Sequence, residues 1–261
     1  MPDLGAAAAL LESLGFTVTP VSDHQVGGKP AGTANRCLMF EQGYIEILAP
    51  TLDTPNAQRV REHMARYGGV HLVCFGTPGA EAERARLAAH GFDPDPVVRL
   101  ERSIEEGKRA RFNVVYVPPD RMPEGRVQYC EHLTPEHIWQ SRHVRHENNV
   151  TGLAAAYVVA RDPVETAARW AGYAGLIPSP DDGMVRLDTA RGKIFIATKK
   201  ALSGYIEHVP DAPGIAAIRL AVADPEAFAA RLRKLGLNVR RTPPLGNCVA
   251  LPPALGGAWL F

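Results

Sequence analysis

The chain has 261 residues, with 29 basic and 28 acidic side chains and a formal net charge of +1. Such a balance lacks the basic field that nucleic acid or an anionic membrane surface requires, and no stretch approaches the roughly 20 apolar residues of a membrane span. The length predicts two domains, 1–150 and 151–261, divided after the polar run Arg142 to Asn149.

In chain order, the first helix starts near Asp3-Leu4 and closes at Gly15, with no strand before it. Strands are expected over Phe16 to Val21, Ala34 to Glu41 and Tyr44 to Leu48, then a linking helix over Asp53 to Tyr67. A second unit follows: strand Gly69 to Thr77, helix Gly79 to His90, and strands Val97 to Ile104, Arg109 to Val117 and Arg126 to His132. Two further units open with the apolar runs LAAAYVVA and IAAIRLAVA. Each then carries an Asp-Pro helix start, Asp162-Pro163 and Asp224-Pro225, an acceptor cap before a proline at the first helical position. Gly15, Gly91, Gly175 and Gly236 recur after the four helices, where a left-handed closing residue is needed. The order reads (α)βββ, βαβββ, βαβββ, βαβββ: an α+β chain of tandem βαβββ modules. The four cysteines, Cys37, Cys74, Cys130 and Cys248, form no CxxC pair, so structural zinc and a disulfide framework are not expected, and reduced thiols fit a cytoplasmic protein.

Candidate chemistry sits on the strands. Tyr44-Ile45-Glu46-Ile47-Leu48-Ala49-Pro50 aligns with Tyr129-Cys130-Glu131-His132-Leu133-Thr134-Pro135, setting Glu46 over Glu131. His71 stands near the start of the second unit's opening strand. Carboxylates in apolar strands are costly to bury unless paired. Two carboxylates and an imidazole facing one cavity would suit a divalent Mn, Fe, Ni or Zn. Alternation sends Glu131 and His132 to opposite faces; the module alignment favours Glu131, and His132 is its rival. Between the strands, His24, Asn35 and Arg36 are candidates for binding a carbonyl or carboxylate oxygen. Gly27-Gly28 fits no phosphate cradle. His137, His143 and His146, near Trp139, form an irregular alternative cluster.

The stretch from His24 to Pro50, containing GTANRCLMFEQGYIEILAP, and CEHLTPEHIWQSRHVRHENNVTG from Cys130 to Gly152 resemble a bacterial branch of glyoxalase-like proteins in the vicinal-oxygen-chelate superfamily. The resemblance covers most of residues 4–152, and residues 153–261 only as module layout. It implies two cupped mixed sheets with helices on the outside, and a divalent metal held by first and last strands. It implies Glu46, His71 and Glu131 as metal ligands. The fourth ligand would lie on a strand preceding Met1. The implied activity is isomerase, lyase or hydrolase chemistry on a small oxygenated metabolite, with Glu131 or His132 shuttling the proton. The alternative is non-catalytic sequestration of a small molecule or drug. Exchange of modules between chains would make a homodimer.

Overall fold

The computed structural model describes residues 3–211 and 213–261. The first unit holds α1 (Leu4–Ser13), β1 (Ser22–Val26), β2 (Lys29–Phe40) and β3 (Gly43–Pro50), and α2 (Pro55–Arg66) links it onward. The second holds β4 (Leu72–Gly76), α3 (Ala80–Ala89), β5 (Val98–Ser103), β6 (Arg109–Tyr116) and β7 (Arg126–His132), followed by the short α4 (Pro135–Ile138). The third holds β8 (Val150–Val159), α5 (Pro163–Ala174), β9 (Pro178–Asp181), β10 (Met184–Thr189) and β11 (Gly192–Ala197), followed by α6 (Lys199–Leu202). The fourth holds β12 (Gly214–Val222), α7 (Pro225–Lys234), β13 (Val239–Arg241), β14 (Asn247–Ala250) and β15 (Ala258–Leu260).

Local signals account for the element ends. Asp3, Asp162 and Asp224 each accept hydrogen bonds from first-turn amides of their helices. Gly15, Gly91, Gly175 and Gly236 have φ of 86°, 77°, 65° and 81°, the left-handed region that lets each helix close. One strand expectation is corrected. Phe16 to Val21 is not a strand, because Pro20 interrupts it after Thr19 has bonded to the backbone of Cys37. The paired strand is β1, joined to β2 through Gly27 and Gly28, both at positive φ.

Two mixed sheets result. One has the order β3-β2-β1-β5-β6-β7-β4 and the other β13-β14-β15-β12-β8-β11-β10-β9. In units two, three and four the opening strand lies parallel to the closing strand: β4 with β7, β8 with β11, β12 with β15. In the second sheet the halves join through their opening strands, β12 against β8. The first sheet joins through β1 against β5 instead, so it curls with β3 and β4 as its two free edges.

Helices α1, α3, α5 and α7 cover the convex faces, and those faces meet. Leu11 and Leu14 at the end of α1 share a core with Phe228 and Leu232 of α7, and Leu87 of α3 shares one with Trp170 of α5. These four helices are therefore outside each cup yet between the two sheets. The division near residue 150 separates the sheets but not the cores. The concave side of the second sheet is filled by Tyr157, Phe195, Leu202, Ile206 and Leu260, leaving the first cup as the place for chemistry. Among the described residues no helix is long and apolar enough to cross a membrane.

Candidate functional site

Alternation along the strands of the first sheet decides which residues face its cup. From β1 comes His24, from β2 Thr33 and Asn35, from β3 Tyr44, Glu46 and Leu48, from β5 Leu100 and Arg102. From β6 come Phe112, Val114 and Tyr116, from β7 Arg126, Gln128 and Cys130, from β4 Leu72, and from α2 Asn56. They enclose a small cavity of about 60 Å³.

A polar chain crosses its floor. Asn56 Nδ2 donates to Thr33 Oγ1 at 3.2 Å, and Thr33 Oγ1 lies 2.9 Å from His24 Nδ1. With its oxygen accepting from Asn56, the Thr33 hydroxyl donates to Nδ1, which sets the proton of neutral His24 on Nε2. That nitrogen faces Glu46 Oε1 at 3.6 Å. Asn35 Nδ2 also donates to Glu46 Oε1, and Arg102 Nη1 donates to Asn35 Oδ1 at 2.9 Å and to Cys37 Sγ at 3.6 Å. Arg102 is only 5 % exposed, so a guanidinium is built into the cup floor. Burial lowers the pKa of His24 and the Glu46 charge opposes that shift, while Arg102 and Arg126 add to it, so the imidazole is neutral. Burial pushes the Cys37 thiol up to about 11, which leaves it an inert, fully buried neighbour of Arg102.

The expected triad does not converge. Glu46 faces the cup, but Glu131 lies on the opposite face of β7 from Gln128 and Cys130. Its carboxylate accepts from Ala80 N at 3.1 Å and Asn113 Nδ2 at 2.9 Å. Helix α3 has Gly79 at its N-cap, with no side-chain cap of its own, so Glu131 supplies the missing acceptor and adds its charge to those of Glu81 and Glu83 in the first turn. That replaces its expected catalytic and metal-binding roles. His71 lies one residue before β4, out of phase with cup-facing Leu72. Its Nε2 bonds to the carbonyl of Tyr67 at 2.8 Å and its ring packs 4.2 Å from that residue's ring. Arg36 alternates with Asn35 and points to the convex side, its Nη1 3.4 Å from the Thr19 carbonyl.

His132 does turn to the cup side, at one end, packed edge-on against Tyr44, Phe112 and Trp139. The tyrosine hydroxyl of Tyr44 is 3.4 Å from its Nε2. The alternative histidine cluster does not converge: His143 Nε2 lies 3.5 Å from Glu105, and the other two make structural bonds. His137 Nδ1 meets the Arg109 carbonyl, and His146 accepts from Thr17 N and meets the Met39 carbonyl.

Burial drives the pKa of both His71 and His132 down to about 4. Unfolding frees each imidazole to titrate near 6.5, so below that pH the unfolded chain binds more protons. Stability is therefore expected to fall as pH drops from about 6.5 to about 4. Unscreened, each site would cost up to ~3 kcal/mol; both keep some solvent contact, and about half that is expected. Urea midpoints measured from pH 7 to pH 4 should decline, with the decline reduced in His132→Phe. A flat profile would mean that these rings are not held neutral.

The divalent ion implied by the resemblance finds no complete ligand set. Among the described residues no three His, Cys, Asp or Glu side chains come together in metal-binding range. The cup offers His24 and Glu46, and Asn35 links that carboxylate to a guanidinium that already balances its charge. The residues present do not fit a resident metal. Sequence reasoning singled out His24, Asn35 and Glu46, which the fold brings together, but missed Arg102, Arg126, Gln128 and Tyr44. The only signal for Arg102 is its position two residues from Leu100 in the run VRLERS, which needs the strand's facing to be known first.

Residues 1–174 match the family model described as a glyoxalase-like domain. No curated protein matched the sequence. Among solved structures, a hypothetical protein from Staphylococcus aureus superposes with a TM-score of 0.63 at 12% identity, over 88% of this chain and 85% of that one. A variant of 4-hydroxymandelate synthase from Streptomyces coelicolor gives 0.55 at 15% identity, over 100% and 89%. A Mn(II)-bound glyoxalase from Novosphingobium aromaticivorans gives 0.52 at 11% identity, over 91% and 73%. At these identities the likeness concerns the fold alone.

Proposed function

Because the chain belongs to the glyoxalase-like domain family, we propose that its first cup binds a small oxygenated metabolite and moves a proton on the carbon beside a carbonyl. The observation that carries this reading is the His24–Glu46 pair, Nε2 to Oε1 at 3.6 Å, on the cup face beside a buried guanidinium. A carboxylate next to a neutral N–H donor combines a base with an electrophile.

Glu46 takes the proton. The electron pair of the broken C–H bond enters the carbonyl and gives an enolate. Its oxygen is stabilised by Arg102 and by the Nε2–H of His24, donors already fixed by Asn35 and Thr33 and so needing little reorganisation. Return of the proton to the opposite face of the same carbon, which takes back the enolate electron pair and restores the carbonyl, completes an isomerisation. Expulsion of a leaving group on the adjacent carbon would instead give a lyase outcome. The second domain supports the cup from its convex side and, among the described residues, contributes none to the lining. The four free thiols fit a reducing cytoplasm.

Sequestration of an apolar drug is less well supported, because the cavity is small and its floor is charged. The test is proton NMR in D₂O with a panel of small carbonyl compounds, charged and neutral. Enzyme-dependent loss of a C–H signal next to the carbonyl is expected for at least one compound. Binding without exchange across the panel would favour sequestration and remove the catalytic reading.

A further inference from the structure

We propose that the ligand is a small monocarboxylate bearing an oxygen on the carbon next to its carboxylate, and that Arg126 holds the carboxylate. The inference rests on the reading of the first cup given above. Charge is its basis. The cup wall carries two guanidinium groups, Arg102 and Arg126, against one carboxylate, Glu46, and arginine stays protonated throughout the accessible pH range. His24 adds no charge, since burial keeps it neutral. Arg102 is tied through Asn35 to Glu46, so those two charges offset each other. Arg126 is the surplus one. Among the described residues it forms no salt bridge, and its guanidinium lies 4.4 Å from the centroid of the Tyr116 ring. One uncompensated positive charge in a partly desolvated wall calls for one negative charge, and a doubly charged ligand would overshoot it.

The wall also says what should stand next to that charge. Gln128 follows Arg126 by two residues on β7, so both face the cup. Its Nε2 donates to Cys74 Sγ at 3.7 Å, while its Oε1 is buried with no partner. A ligand hydroxyl beside the carboxylate would satisfy that acceptor, and if the amide is turned over, its N–H₂ would serve a keto oxygen. A cavity of about 60 Å³ keeps the ligand small.

Isothermal titration calorimetry on the full chain would use 2-oxobutyrate, 2-hydroxybutyrate, the neutral 2-oxobutyramide and inorganic phosphate. At least one acid is expected to bind about 10-fold or more tighter than the amide, the span of one charged hydrogen bond, and phosphate should bind more weakly than that acid. Arg126→Gln should weaken acid binding about 10- to 100-fold and leave amide binding unchanged, and Arg126→Lys should restore part of the loss. Equal binding of acid and amide, stronger binding of phosphate, no acid binding at millimolar concentration, or a folded Arg126→Gln protein with unchanged acid affinity would each overturn the proposal. The two readings fail separately. Acid binding through Arg126 without deuterium exchange would leave the anion site standing and remove the proton transfer. Exchange of the amide as readily as the acid would do the reverse.

Discussion

Glu124→Ala is expected to destabilise the protein by about 3–5 kcal/mol, the usual cost of removing one partner of a buried charge pair. Glu124 is 1% exposed, in the connection between β6 and β7. Arg169 of α5 binds it with two nitrogens, at 2.9 and 2.7 Å, and Trp170 Nε1 donates to it at 3.1 Å. Trp170 is fully buried at the centre of the core that α3 and α5 share. Alanine there leaves an indole N–H without an acceptor and a guanidinium without its buried counter-charge. Because the carboxylate belongs to the second unit and its donors to the third, the loss also loosens the junction between the two sheets. Glu165→Ala is the control: its side chain is 59% exposed and pairs with the same Arg169, and it should cost under ~1 kcal/mol. Urea unfolding followed by tryptophan fluorescence reads both. A Glu124→Ala loss no larger than that of Glu165→Ala would mean that packing alone holds the junction.

The repeat was legible because its punctuation is local. Asp-Pro starts and glycine stops act within one turn of chain, and they mark four helices whatever surrounds them. Sheet closure was not legible. Joining the first two units through β1 and β5, and the last two through β8 and β12, depends on contacts far apart in sequence. The same limit explains why α1 and α7, some 220 residues apart in the chain, share one core.

Facing governed success at the site. The alignment of Glu46 with Glu131 was sound as sequence, yet a one-residue change of phase reverses every side chain on a strand. Glu46 sits opposite Cys37 across β2 and β3 and faces in. Glu131 sits opposite Asn113 and faces out, where a helix N-terminus accepts it. Arg36 and Asn35 are neighbours in sequence with like potential to bind an oxygen, yet only one can line the cup. Buried cations such as Arg102 escape composition-based reasoning altogether, since arginine is usually read as surface.

Glu46→Gln should lower the rate of deuterium exchange by 10²- to 10⁴-fold, the range associated with one positioned acid–base group, while ligand affinity changes only a few-fold. The substitution keeps the shape and still offers Asn35 an acceptor, but the amide is not a base at any accessible pH. A second readout separates this from simple misfolding. The Glu46 charge pulls the pKa of His24 upward against burial, so with glutamine in its place the imidazole should titrate at lower pH still. Following the His24 ring protons by NMR in both proteins would show that shift if the two groups face each other in solution as they do here. Loss of exchange together with a lowered His24 titration identifies Glu46 as the base. Unchanged exchange with the titration lowered would leave the geometry intact and pass the proton to another group, of which His132, on the same side of β7 as the lining residues Gln128 and Cys130, is the first to test.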